Sequence, residues 1–149
     1  MRLVVDASVS VKWLVAEEDS EAARELATGR HDLHAPRLMA AELANALWSK
    51  ARRGQIEHDE AGAMMASVPR MPVQWHADEA VGADAIRIAL ALDGPVYDFM
   101  YLALAHRIGA IVVTADRRFA NAVAPTAHGG AVMTLADYAS GGGRISGRP

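Results

Sequence analysis

The short apolar runs of this chain do not alternate. Leu3-Val4-Val5 and Ile111-Val112-Val113 are apolar at every position. That is the pattern of a strand covered on both faces, and strands of that kind belong to parallel sheets flanked by helices. Strands are expected at 2–5, 33–35, 71–75, 110–113 and 131–133. Between them lie segments that read as helices. Ser8 is placed to cap a helix to about Ala16, and Asp19 or Ser20 to cap one that ends at Gly29. Pro36 suits the entry to a helix running from Arg37 to Arg53, where Gly54 stops it. Further helices are expected from His58 to Val68, halted by Pro69, from Asp78 to Leu92, from Asp98 to Ile108, with Gly109 as the stop, and from Arg117 to Val123. Strands separated by helices imply parallel pairing, an α/β class and a sandwich architecture.

The chain has 149 residues, enough for one well-packed domain and too few for two comfortable ones. Hydrophobic residues make up 52% and charged residues 22%, as in a globular protein. One domain is expected over 1–140, with a flexible Gly/Arg-containing tail over 141–149 that has no apolar period. There are no cysteines, so disulfide and thiolate chemistry are excluded. No apolar run approaches the roughly 20 residues that span a bilayer, and the N-terminus does not read as a signal peptide. A cytoplasmic protein without membrane contact is therefore expected. The net charge of −3 argues against holding nucleic acid by bulk positive charge. Small basic groups remain at Lys50 with Arg52-Arg53, and at Arg117-Arg118.

The informative residues are acids. Ligands of open parallel sheets bind at the carboxyl ends of the strands. Asp6 ends the first strand, and Asp116 follows the strand in GAIVVTADRRF. Asp98 opens a helix, where it can act simply as a cap. Asp116 can likewise be a turn acid. Glu42 sits inside an otherwise apolar helix, about 40° from both Leu38 and Ala46 at a helical turn of about 100° per residue. A solvated surface has no need of an acid there. Asn45 points to nearly the same side. Four acids brought together repel one another and raise one another's pKa, a conflict that a divalent cation removes. Hard oxygen donors suit Mg²⁺ or Mn²⁺.

The stretches LVVDASVSVKWL, APRLMAAELANAL, VYDFMYLALAHRIGA and IVVTADRRF resemble, in that order, the PIN-domain ribonucleases, most closely the VapC toxins of toxin–antitoxin pairs. The resemblance covers nearly the whole chain except the Gly-rich tail. It implies a PIN-like α/β/α sandwich with a central parallel sheet. It also implies an endoribonuclease dependent on Mg²⁺, with Mn²⁺ as a possible substitute. Such an enzyme acts on an RNA substrate, is often a homodimer and is inhibited by a small cognate antitoxin. Asp6, Glu42, Asp98 and Asp116 fall on the family's acidic quartet, with Asp6 and Asp98 the firmest metal ligands. Thr114 falls on the Ser/Thr that precedes the last acid and orients it, and Ser8 is placed to do the same for Asp6.

Other chemistries lack their residues. The turn after the first strand reads DASVS, without the glycines of a dinucleotide site. There is no GxSxG and no HExxH. Ser8 stands where an aspartyl phosphatase would carry its second acid. The six histidines form no ligand-spaced helical pair, and His31 and His34 are expected on a surface loop. Trp13, Trp48 and Trp75 are expected in the core or at an interface. A non-catalytic PIN-like protein-binding module is the alternative function, ranked second because all four acids are present. A DNA nuclease of the flap type would normally be longer, with more acids.

Overall fold

The structure is a computed structural model and describes residues 1–142. The expected tail at 141–149 lies outside the described residues beyond Gly142. Five strands form one sheet: β1 (Arg2–Val5), β2 (Asp32–Pro36), β3 (Gln74–His76), β4 (Ile111–Thr114) and β5 (Val132–Thr134). Their order is β3-β2-β1-β4-β5, and every pairing is parallel. Leu3, Val4 and Val5 are wholly buried, as uninterrupted apolar runs require of a central strand covered on both faces.

The connections run from β1 outward to β3, then return past β1 to β4 and on to β5. Right-handed crossovers therefore place the helices before β3 and those after it on opposite faces. Before β3 come α1 (Ala7–Ser10), α2 (Ser20–Thr28), α3 (Leu38–Arg52) and α4 (His58–Ser67). After it come α5 (Gly82–Leu92), α6 (Val96–Ile108) and α7 (Arg117–Val123), and the short α8 (Leu135–Asp137) follows β5. α3 packs against α1, α4 and β2, whereas α6 packs against β1, β4 and β2 and carries α5. Residues 99–105 of α6 are all buried, so this helix has no polar face along its middle. No single described helix is long and apolar enough to cross a membrane.

Several expected boundaries move, each for a local reason. Asp6, not Ser8, caps the first helix: its backbone is extended (φ −93°, ψ 173°) and Oδ1 accepts from the Val9 amide at 3.2 Å. That helix ends at Ser10 and continues to Trp13 as a tighter turn. Asp98 does not cap α6, which begins two residues earlier behind the extended Pro95 (ψ 136°). Proline suits this entry because it has no N–H to leave unpaired. Asp78 opens only a short turn at Asp78–Ala80, and α5 starts at Gly82. Its carboxylate instead accepts the Leu38 amide at 2.9 Å, capping α3 from a distant segment where Arg37 offers no side-chain acceptor. The third strand lies at Gln74–His76, nearer Asp78 than expected.

His34 is not on a surface loop. It lies on β2, 6% exposed, with Nδ1 3.0 Å from Nε2 of His76 on the neighbouring strand. Trp48 is 56% exposed, with the Arg52 guanidinium 5.3 Å from its ring, while Trp13 and Trp75 pack partly against the core.

Candidate active site

The sense of the connections reverses between β1 and β4, and open parallel sheets bind ligands in the crevice outside their strand ends at such a point. Asp6 leaves β1 there, and Thr114, Ala115 and Asp116 leave β4 beside it. Two hydroxyls tie the strand ends together. Ser8 Oγ donates to Asp6 Oδ1 at 2.5 Å and accepts the Ala115 amide at 2.8 Å. Thr114 Oγ1 donates to Asp6 Oδ2 at 2.5 Å and accepts the Asp116 amide at 3.0 Å. Thr114 is wholly buried, so its hydroxyl has no water to turn to. It holds the Asp6 carboxylate directly and reaches Asp116 only through the backbone.

Asp116 caps α7, with Oδ1 accepting from the amides of Arg118 at 2.9 Å and Phe119 at 3.2 Å. Glu42 comes across from α3, and Oε1 accepts the Tyr101 hydroxyl at 2.7 Å. Its partner is thus a tyrosine on α6. Asp98 lies in the first turn of α6 and accepts no hydrogen bond among the described residues. Asn45 is exposed, one turn beyond Glu42, and lines with it, Ser8, Leu38 and Tyr97 a cleft of about 570 Å³.

The four acids share one electrostatic field. Burial pushes the Asp6 carboxyl up to about 6, against the hydrogen bonds from Ser8, Thr114 and the Val9 amide, and the Asp116 charge adds to the rise. Burial raises Glu42; the Tyr101 hydroxyl opposes this, and the Asp6 and Asp98 charges reinforce it. Burial raises Asp98, then the Asp116 charge, with Arg118 partly offsetting both. Asp6, Glu42 and Asp98 therefore each feel the charge of another of the four, although they come from different strand ends and helices.

As the side chains lie, no three acidic or histidine residues among those described converge closely enough to hold one ion. The oxygens left over fit a hard cation in kind. Asp116 Oδ2, Glu42 Oε2 and both Asp98 oxygens accept nothing from the protein among the described residues, and Asp6 Oδ2 accepts only Thr114. Tyr101 escaped the reading of the sequence. Its signal was its place three residues after Asp98 on one face of an aliphatic helix.

These features define an open parallel α/β domain whose polar chemistry at the switch point is a set of coupled carboxylates. The chain belongs to the PIN-domain family, whose model matches residues 3–124. It is 40% identical over 122 residues to Ribonuclease VapC3 of Pyrobaculum aerophilum, covering 80% of this chain and 93% of that protein. Its fold is that of Mycobacterium tuberculosis VapC20, described as a toxin that cleaves the sarcin–ricin loop. The TM-score is 0.64 at 17% identity, covering 81% of this chain and 95% of that one. It is also that of VapBC2 from Rickettsia felis, solved bound to a promoter DNA fragment. There the TM-score is 0.60 at 10% identity, covering 90% of this chain and 98% of that one.

Proposed function

We propose that this chain is a Mg²⁺-dependent endoribonuclease and the toxin of a toxin–antitoxin pair. The observation that carries the reading is the coupled set Asp6, Glu42, Asp98 and Asp116 at the β1/β4 switch point, in a chain 40% identical to a VapC ribonuclease. Asp6 and Asp98 would hold the ion most directly, with Mn²⁺ able to replace Mg²⁺. A divalent ion held there supplies Lewis-acid polarisation of a scissile phosphate and a more acidic water. Ser8 and Thr114 fix the Asp6 carboxylate in one orientation, so little rearrangement is needed when charge develops. Glu42 Oε2 and Asp116 Oδ2 are left to accept a proton from the attacking water, each with its other oxygen anchored. Arg117 and Arg118 are exposed beside Asp116 and are placed to take a flanking phosphate.

Inhibition by a small cognate antitoxin follows by family likeness. A homodimer is the proposed assembly, consistent with the exposed Ile86 and Leu90 of α5 and Tyr97 of α6.

The test is RNA cleavage by purified protein with Mg²⁺, with Mn²⁺ and with chelator, run beside Asp98→Asn. Asp98 is not the cap of its helix, so the asparagine removes charge without disturbing a cap. Metal-dependent cleavage lost in a folded variant supports the reading. Equal cleavage by both proteins assigns the activity to a contaminant. No cleavage by wild type, together with no metal binding, favours the non-catalytic binding module.

A further inference from the structure

Two histidines that the carboxylate site does not use face each other at the far end of α6. His106 Nε2 lies 2.9 Å from His128 Nδ1, with ring centroids 4.9 Å apart and ring planes inclined by 56°. His106 is exposed in the last turn of α6, and His128 precedes the turn that leads into β5. Eight residues separate Asp98 from His106, about 12 Å along the helix at about 1.5 Å per residue. We propose that His106 and His128 form a two-histidine chelate for a divalent transition-metal ion of the Ni²⁺, Cu²⁺ or Zn²⁺ kind.

The separation is that of a ring-to-ring hydrogen bond, and an ion that displaces the shared proton to another ring nitrogen needs nearly the same spacing. With metal–nitrogen distances of about 2.05 Å, two nitrogens at right angles around one ion stand about 2.9 Å apart. Imidazole is the side chain these ions favour, whereas Mg²⁺ and Mn²⁺ prefer the oxygens of the carboxylate cluster. The pair is open to solvent on the His106 side, so an ion has an entry path and water can complete its coordination.

The loop that carries His128 is built to hold it. The His128 amide donates to Thr126 Oγ1 at 3.1 Å, and Thr126 Oγ1 donates to the Val123 carbonyl at 2.7 Å. The His128 carbonyl accepts the Ala131 amide at 2.9 Å. At Gly129 a side chain would bring its Cβ within 2.3 Å of the Ala124 carbonyl oxygen, so the backbone closes tightly just beyond the histidine. The cation adjacent to His106, Arg107, is turned away onto the Ala80 carbonyl at 2.8 Å. A bound ion would join the end of α6 to the α7–β5 connection and stabilise the fold by mass action.

The experiment is calorimetric titration of the full chain, free of any polyhistidine tag, with Ni²⁺ and with Zn²⁺. Excess Mg²⁺ is present throughout to occupy hard-oxygen sites. Wild type is compared with His106→Gln, His128→Gln and, as a control at the other histidine pair, His76→Gln. One site of micromolar affinity is expected in wild type and in the control, because the burial of His34 leaves the His34–His76 pair no entry path for an ion. At least a tenfold loss is expected in each of the first two variants, whose thermal midpoints should also stop rising on Ni²⁺ addition. Absence of saturable binding by wild type, or wild-type affinity in both His106→Gln and His128→Gln, overturns the proposal. Neither result bears on the carboxylate site, whose test is RNA cleavage.

Discussion

The Tyr101 hydroxyl donates to Glu42 Oε1 at 2.7 Å, joining α6 to α3 across the ends of the strands. Tyr101 is 3% exposed, and its own ionisation is pushed up by burial and by the charges of Glu42 and Asp6. It therefore stays a neutral donor and holds one oxygen of Glu42 while leaving the other free. Tyr101→Phe keeps the ring and removes the donor. A hydrogen bond to a charged group is worth roughly 1.5–3 kcal/mol, so chemical denaturation should show a loss of that order. With Glu42 free to turn, kcat for RNA cleavage should fall at least tenfold with KM little changed. A loss of stability with unchanged kcat would make the contact purely structural.

Burying the Asp6 carboxylate is costly for the fold. Its carboxyl rises from 3.8 to about 6 on burial, so at neutral pH the folded chain holds a charge it would rather not carry. Two pKa units correspond to about 3 kcal/mol, the upper bound of what neutralising the group can return. Asp6→Asn keeps an oxygen for Ser8 and the Val9 amide, and its NH₂ can donate to Thr114 in place of the present bond. In chelator the variant should melt above wild type and should cleave no RNA, a trade familiar at functional sites. A lower melting point in chelator would show that the Asp6 hydrogen bonds outweigh its desolvation.

What the sequence made legible was whatever repeats along one element. The unbroken apolar runs at Leu3–Val5 and Ile111–Val113 carried the sheet and its parallel sense, since a strand buried on both faces cannot alternate. Glu42 stood out because it broke the apolar face of its own helix. Contacts between distant segments left no such trace. Asp78 caps Leu38 over 40 residues, and Tyr101 meets Glu42 over 59. The burial of His34 was hidden for the same reason, because its partner His76 lies on a strand formed 42 residues later. The capping roles were exchanged: Asp98 looked like a cap and is not one, while Asp6 and Asp116 both cap helices that follow the central strands. A helix start is set by backbone torsions on both sides of the boundary, and the acid in the first turn does not fix it alone.

The double duty of Asp116 can be separated. Asp116→Ala removes the acceptor for the Arg118 and Phe119 amides, which should cost roughly 1 kcal/mol. At this chain length that is a fall of about 2–4 °C in thermal midpoint. Asp116→Asn keeps the cap and removes the charge, so its midpoint should stay near that of wild type or rise. If the carboxylate serves the reaction, both variants should lose cleavage to a similar extent. Retained activity in Asp116→Asn would restrict the residue to capping.

His34 makes folding sensitive to mild acid. Burial lowers its pKa, and the adjacent His76 lowers it further. Its Nε2 is buried with no hydrogen-bond partner among the described residues, so the ring fits best with the proton on Nδ1, donated to His76 Nε2. A second proton would sit on the buried Nε2 without an acceptor. Because folding lowers the pKa, the unfolded chain binds that proton more tightly than the folded one. The contribution to stability is therefore complete above the unfolded value of about 6.5 and is lost as pH falls through the lower folded value. The strain falls between β2 and the edge strand β3. Urea midpoints measured from pH 7.5 to 5 should drop for wild type, and the slope should flatten in His34→Phe, which keeps a flat ring and cannot titrate. A slope that persists unchanged in the variant would assign the acid sensitivity to another group.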